Sequence, residues 1–180
     1  MLSVKVEPTT LYDEENNEFI NVRGQVLTLE HSLVAISKWE SKYHKPYFNK
    51  KDKTKAEWLE YFKCMTITQN VDPMIYMAFD NNIFNEISKY MNDPMTATVI
   101  NSRKPRANSG TFTTSEVIYS LMVQLNIPFE CQKWHINRLL TLIQVCEEAQ
   151  TPKKKMSNKQ VLNQYAALNA ARRAKYHSKG

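Results

Sequence analysis

Glycine is nearly missing from this chain: three residues in 180, at positions 24, 110 and 180. A loop that cradles phosphates with backbone N–H groups needs closely spaced glycines, so neither common nucleotide-binding motif can be written anywhere in it. There is also no GxSxG elbow and no HExxH pair, which leaves catalysis to scattered side chains and argues against an enzyme. Cysteine is scarce. Cys64, Cys131 and Cys146 are odd in number and set among apolar neighbours, which fits reduced thiols in a cytosolic protein better than a disulfide framework. No run of about 18 apolar residues occurs, so nothing is expected to span a membrane. The start, "MLSVKVEPTTLYDEENNEF", is acidic and broken by Pro8, unlike a signal peptide.

What the chain does have is material for a core. Hydrophobic residues make up 42% and aromatics 11%, and a chain of this length buries roughly 70% of its unfolded surface. Charge is distributed unevenly. From Thr151 onward there are eight bases (Lys153, Lys154, Lys155, Lys159, Arg172, Arg173, Lys175, Lys179) and no acids, which leaves 16 bases against 18 acids in the preceding body. The net charge of +6 is therefore a property of the tail attached to a nearly neutral body.

Periodicity predicts the fold class. "LSVKVE" and "EFINVRGQVLTLE" alternate apolar and polar residues, which reads as a hairpin joined by a solvated acidic turn at Asp13, Glu14 and Glu15. Helical spacing then takes over. Leu33, Ile36, Trp39 and Tyr43 mark a first helix ended by Pro46, and Thr54 with Glu57 forms a capping box before Trp58, Phe62 and Met65. Asp72-Pro73 signals another helix start, and Ile83, Ile87 and Met91 a further helix. "TATVINSRKPRANSG" reads as an exposed loop. Thr113 and Glu116 predict a second capping box, ahead of an apolar segment containing Tyr119 that is expected to be the central helix. Beyond Pro128, "FECQKWHINRLLTLIQVCEEA" is expected to form one long helix with Cys131, His135, Leu139, Leu142 and Cys146 near one stripe, and Trp134 beside it. Ser157 and Gln160 predict a third box before an Ala-rich helix. The expected fold is mainly α: a small N-terminal β hairpin over 1–30 on a bundle of about six helices over 31–150, then a basic C-terminal helix over 151–180. Trp39, Tyr43, Trp58, Phe62, Tyr119, Trp134, Leu139 and Leu142 are the expected structural core.

Few residues offer chemistry. Cys131 and His135 sit one helical turn apart and could form half a zinc site, but no paired, closely spaced ligands complete it. A Cys–His nucleophile would need an exposed thiolate and an orienting group that the sequence does not supply. The acidic cluster reads as a solvated turn. No catalytic residue, metal or cofactor is expected. The tail is different, because Val161, Tyr165 and Leu168 give it a thin apolar stripe, followed by Arg172, Arg173 and Lys175. Such a helix can lie in a partner's groove with the bases steering it, and a solvated terminus is nearly as compatible. Nucleic-acid binding through the same bases is weakened by their split into two separated groups.

The blocks "LEHSLVAISKWESKYHKPYF", "CMTITQNVDP", "MTATVI", "TSEVIYSLMVQLNIPFECQKWHINRLLTLIQVC" and "LNAARRAKYHSKG" together resemble a family of tailed-bacteriophage proteins, the tail assembly chaperones of long-tailed phages. The resemblance covers nearly the whole chain, and "SKWES" and "IPFECQKWH" are its specific blocks. It implies a host-cytoplasmic protein of virion morphogenesis that binds the long, helical tape-measure protein and keeps it soluble until tail-tube subunits replace it. It further implies self-association, and a longer frameshifted product beside this one. Trp39, Tyr43, Tyr47 and Phe48 would then form the corner where the β element meets the helices. A structural virion protein (head–tail connector or tail-completion subunit) is the alternative, followed by a nucleic-acid-binding accessory protein.

Overall fold

The alternation in the first thirty residues becomes four short strands in the computed structural model, which describes residues 1–13, 17–49, 53–99, 113–150 and 158–176. β1 (Leu2–Val6) pairs antiparallel with β4 (Gln25–Leu29), and β2 (Thr9–Asp13) pairs antiparallel with β3 (Glu18–Val22). The result is one long hairpin interrupted at a single level, by Glu7-Pro8 on one arm and Arg23-Gly24 on the other. Pro8 has no N–H to give to a ladder. A Cβ added to Gly24 would lie 2.6 Å from Pro8 Cδ and 2.8 Å from the Val6 carbonyl oxygen. Only glycine lets the two arms approach this closely. The sequence predicts an extended hairpin over Leu2 to Leu29 with Gly24 inside its second arm; the Pro8–Gly24 contact divides each arm into two short strands. Val4, Val6, Val22, Leu27 and Leu29 point inward and are buried.

The rest is helical, as the periodicity predicts. The α-helices among the described residues are α1 (Leu33–Tyr43), α2 (Lys55–Met65), α3 (Asn81–Met91), α4 (Ser115–Gln124), α5 (Ile136–Gln150) and α6 (Asn158–Tyr176). Single 3-10 segments run over Pro73–Ala78 and Phe129–Lys133. Met1–Glu147 forms one compact unit and Glu148–Gly180 a second, with the boundary in the last turn of α5.

Local chemistry sets several helix ends. Ser32 caps α1, its Oγ accepting from the Ala35 N–H at 3.3 Å, and His44 closes it in the left-handed region at φ 52°. The Thr54–Glu57 capping box forms as predicted: the Glu57 N–H donates to Thr54 Oγ1 at 3.2 Å and the Thr54 N–H to Glu57 Oε2 at 2.8 Å. Asp72 also caps as expected, but the segment behind it is a 3-10 helix. The Ser157 box, the acidic pair Glu14 and Glu15, and residues 100–110 of the expected loop lie outside the described residues.

Three expectations fail for tertiary reasons. The first concerns α4, whose N-cap is Thr114 rather than Thr113 and makes no side-chain capping bond. Its first N–H, that of Ser115, donates instead to Glu40 Oε2 at 2.7 Å, across 75 residues of sequence. The second concerns what lies at the centre. α4 buries only Ser115, Ile118 and Met122, whereas α1 packs against α2, α4 and the 129–133 turn and buries Leu33, Ala35, Ile36, Trp39 and Glu40. Each of the fully buried aliphatic side chains, Leu33 and Ile36 among them, stabilises by roughly 1.5–3 kcal/mol.

The third is the long helix expected after Pro128, which is broken. The 3-10 turn ends at Lys133, Trp134 is extended, and α5 begins at Ile136. The break exists because Ser32 bridges His135 as an isolated β pair and the Ile136 N–H donates to the His31 carbonyl at 2.7 Å. Cys131 and His135 are therefore not on one helix.

Glu40 holds two ends together. Its Oε1 accepts from the Tyr47 N–H at 2.7 Å, fixing the turn after α1, while Oε2 fixes the start of α4. Glu40→Gln replaces one acceptor with an NH2 group facing a buried N–H donor. The expected loss is about 2–4 kcal/mol, given that buried hydrogen bonds to charged groups contribute about 1.5–3 kcal/mol and an orphaned donor adds to it. Urea unfolding measures it, with exposed Glu86→Gln as a control expected within about 0.5 kcal/mol of wild type. A Glu40→Gln protein as stable as the control would refute the double-tie role.

Candidate functional site

The polar centre of the first unit is built on the strap between β4 and α1. The Ile67 N–H donates to the Thr28 carbonyl at 2.8 Å, the Glu30 N–H to the Met65 carbonyl at 2.9 Å, and the Ile136 N–H to the His31 carbonyl. Five residues of extended chain thus join the hairpin, the end of α2 and the start of α5. Side chains extend the same knot. The buried Glu30 carboxylate accepts from the Tyr90 hydroxyl at 2.6 Å and lies 3.0 Å from the Met1 amine.

Two histidines meet here edge to face, with ring centroids 5.2 Å apart. His135 Nε2 donates to the Tyr90 carbonyl at 3.1 Å, and its Nδ1 accepts from the Asn137 N–H at 3.3 Å, so the ring caps α5. Asn137 in turn donates to the Met91 and Asp93 carbonyls at 3.1 and 2.7 Å, closing the end of α3. His31 Nδ1 lies 2.5 Å from the Tyr61 hydroxyl. Burial first, and the neighbouring His135 second, push the His31 pKa down to about 3; burial also lowers that of His135. Both rings are therefore neutral at physiological pH. With both nitrogens of His135 engaged within the protein, the Cys131–His135 pair is not arranged as a ligand set. Among the described residues no three His, Cys, Asp or Glu side chains converge as metal ligands would.

The aromatic segment after α1 forms a second cluster, located between α1, α2 and the turn at 46–48. It is not the corner between the β element and the helices that the resemblance implies. That junction lies instead at the Leu29–Thr66 bridge and between β1 and α3. Trp39 donates its indole N–H to the Glu57 carbonyl at 3.0 Å, and Tyr47 packs on Tyr61 with centroids 4.4 Å apart. Lys53 closes the cluster from one side. Its ammonium donates to the Tyr47 carbonyl at 2.7 Å and sits 4.3 Å over the Tyr47 ring, 5.3 Å over Trp58 and 5.4 Å over Trp39. Burial lowers its pKa. Lys45 pairs with Glu57 at 2.8 Å and holds that carboxyl below its usual range.

Of the expected core residues, Trp39, Phe62 and Leu139 are buried, while Tyr43, Trp58, Tyr119, Trp134 and Leu142 are half-buried against the core. Tyr119 donates to Gln132 at 2.9 Å, and the Arg138 guanidinium covers the outer face of the Trp134 ring at 4.1 Å. Nothing in the sequence marks Glu40, Lys53 or Tyr61 as linking residues, since each acts on groups supplied by other segments of the chain.

α6 is different in kind. Every side chain described in it, from 162 to 176, is exposed. Tyr165 is 61% exposed and Leu168 46%, and the unanticipated Leu162 is 69% exposed. Arg172, Arg173 and Lys175 follow on the same helix; the Val161 side chain lies outside the described residues. Tyr165, Leu168, Arg172 and Lys175 recur at intervals of three, four and three, which places them along one face. Ala166, Ala170 and Ala174 occupy the opposite face. The helix thus carries a narrow stripe that is apolar and aromatic at its start and cationic at its end.

The neutral histidines make stability depend on pH. His31 has a folded-state pKa far below its ordinary 6.5, so its contribution is complete above pH 6.5 and is lost as pH falls toward 3. At about 1.4 kcal/mol per pH unit, His31 alone accounts for a loss of about 2 kcal/mol between pH 7 and pH 5. Urea unfolding of His31→Gln should start lower at pH 7 but decline less over that interval by about this amount; equal declines would refute the assignment. Comparison with family models, with curated proteins and with solved structures gives no match, so the functional reading rests on the residues themselves.

Proposed function

We propose that this chain is a bacteriophage tail assembly chaperone that binds the tape-measure protein in the host cytoplasm and keeps it soluble until tail-tube subunits take its place. The observation that carries the reading is α6, a nineteen-residue helix in a compact unit of its own with Tyr165 and Leu168 exposed in line with Arg172 and Lys175. A thin stripe of this kind is what a helix offers to an apolar groove or to a second helix, with anchors for affinity and charge for encounter. The similarity of "SKWES", "IPFECQKWH" and "LNAARRAKYHSKG" to phage tail proteins supports the choice of client. Many copies along a fibre require only modest affinity from each, and self-association through the same helix adds avidity.

The two halves of the stripe should fail differently. Replacing Val161, Tyr165 and Leu168 with Ala should weaken binding to a tape-measure fragment by about tenfold or more at any salt, since buried apolar area is not screened. Replacing Arg172, Arg173 and Lys175 with Gln should slow association at low salt and have little effect at high salt, because exposed charges are screened beyond roughly 10 Å at 0.1 M. Deleting residues 151–180 should abolish binding and leave the melting temperature of the remainder nearly unchanged. Sedimentation and stopped-flow mixing measure these effects. Full binding by the deletion variant, or stoichiometric presence of the protein in purified virions, would overturn the chaperone reading.

A further inference from the structure

We propose that the cleft between α2 and α3 is a binding site for a small, neutral aromatic molecule that carries a hydrogen-bonding group next to its ring. This inference is independent of the role assigned to α6. The cleft has a volume of about 660 Å³, within the range of pockets that hold small ligands. Its walls are the rings of Tyr47, Phe48, Trp58, Phe62 and Phe84, with the Met91 thioether. Faces and edges of this kind favour a flat ring over an aliphatic chain, because offset and edge-to-face ring pairs add about 0.5–1.5 kcal/mol beyond area burial. The polar side chains of the lining are uncharged, and Ser88 stands at the exposed mouth.

Neutrality follows from what is and is not present. Among the described residues no Lys, Arg, Asp or Glu lines the cleft. The nearby cation, Lys53, is held on the Tyr47 carbonyl and over the aromatic rings. A charged ligand would lose its hydration with no counter-charge to replace it.

The hydrogen-bonding group follows from His31, which lines the cleft while only 5% exposed. Its Nδ1 is held by the Tyr61 hydroxyl, and Nε2 has no hydrogen-bond partner among the described residues. Every fully enclosed side-chain nitrogen and oxygen of those residues does have one, so Nε2 is reached from the cleft. Burial pushes the Tyr61 pKa well above 10, which keeps its proton on. The Tyr61 hydroxyl can donate to Nδ1 or accept from it, and Nε2 takes the complementary role, so the ring calls for one neutral hydrogen-bonding group on the ligand, of either sense. A carboxamide beside an aromatic ring, which both donates and accepts, satisfies both features.

Three near-isosteric probes separate the claims: benzamide (neutral, donating and accepting), benzoate (charged) and toluene (no hydrogen-bonding group). The readout is the Trp58 indole N–H resonance in ¹H–¹⁵N spectra of the full chain, assigned with Trp58→Phe. Benzamide should give a saturable shift in the low-millimolar range or tighter, benzoate none, and toluene a response at least about fivefold weaker, in keeping with a lost hydrogen bond. Ser88→Trp, at an exposed position that leaves the core untouched, should weaken benzamide at least tenfold by filling the mouth. His31→Phe should make benzamide and toluene equivalent; if that variant does not fold, Ser88→Trp and the probe ranking still decide. No saturable shift with benzamide, binding unaffected by Ser88→Trp, or benzoate binding as well as benzamide would each overturn the site. Binding of N-acetyl-phenylalaninamide without benzamide would overturn it as well, by assigning the cleft to a peptide side chain.

Discussion

The extended strap Thr28–Ser32 is the constraint on which the rest of the first unit depends. Its backbone is bonded to the chain after α2 on one side and to the first N–H of α5 on the other. The Glu30 and His31 side chains reach Tyr90 and Tyr61 from the same segment. Glu30, His31 and Ser32 are buried, so the polar groups that face the interior are satisfied only by these partners. That explains why a segment at the exit of a small hairpin contains a glutamate, a histidine and a serine in succession: each completes a hydrogen bond that burial of the strap makes obligatory. It also explains why α5 starts where it does, since a continued helix through residue 135 would give up the Ser32–His135 pairing.

Glu40 has the corresponding role near the other end of α1. A carboxylate accepting two backbone N–H groups stands in for a side-chain cap on α4 and fixes the Tyr47 N–H of the turn after α1. The body is thereby organised around α1, with both of its ends tied to distant chain by buried acceptors. Its aromatic residues fill the spaces those ties leave, and Lys53 shields the outer side of their cluster.

Function is proposed for α6 and for a cleft that His31 of this knot helps to line. The described side chains of α6 are all exposed and make none of the buried polar ties that define the body, and its stripe asks for another surface. The cleft between α2 and α3 has the opposite character: it lies within the body, is aromatic, and is lined by His31, whose Nε2 has no partner among the described residues. A binding helix on one unit and a neutral pocket in the other are compatible roles, because neither draws on the residues of the other.

The sequence by itself determined whatever is short in range. Alternation specified the β element, three-to-four spacing specified α1, α2, α3 and α6, and the Thr54–Glu57 box and the Asp72 cap were readable because their partners lie two or three residues away. The exposed stripe of α6 was readable for the same reason. Tertiary structure alone decided the Pro8–Gly24 kink, the start of α4, the break before α5 and the placement of the aromatic cluster. Each of these turns on a contact between residues far apart in the chain, Val6 and Pro8 with Gly24, Glu40 with Ser115, His31 with Ile136, Tyr47 with Tyr61. Such a contact can override local propensity because a buried N–H must find an acceptor somewhere, and in this protein the acceptor stands on another element.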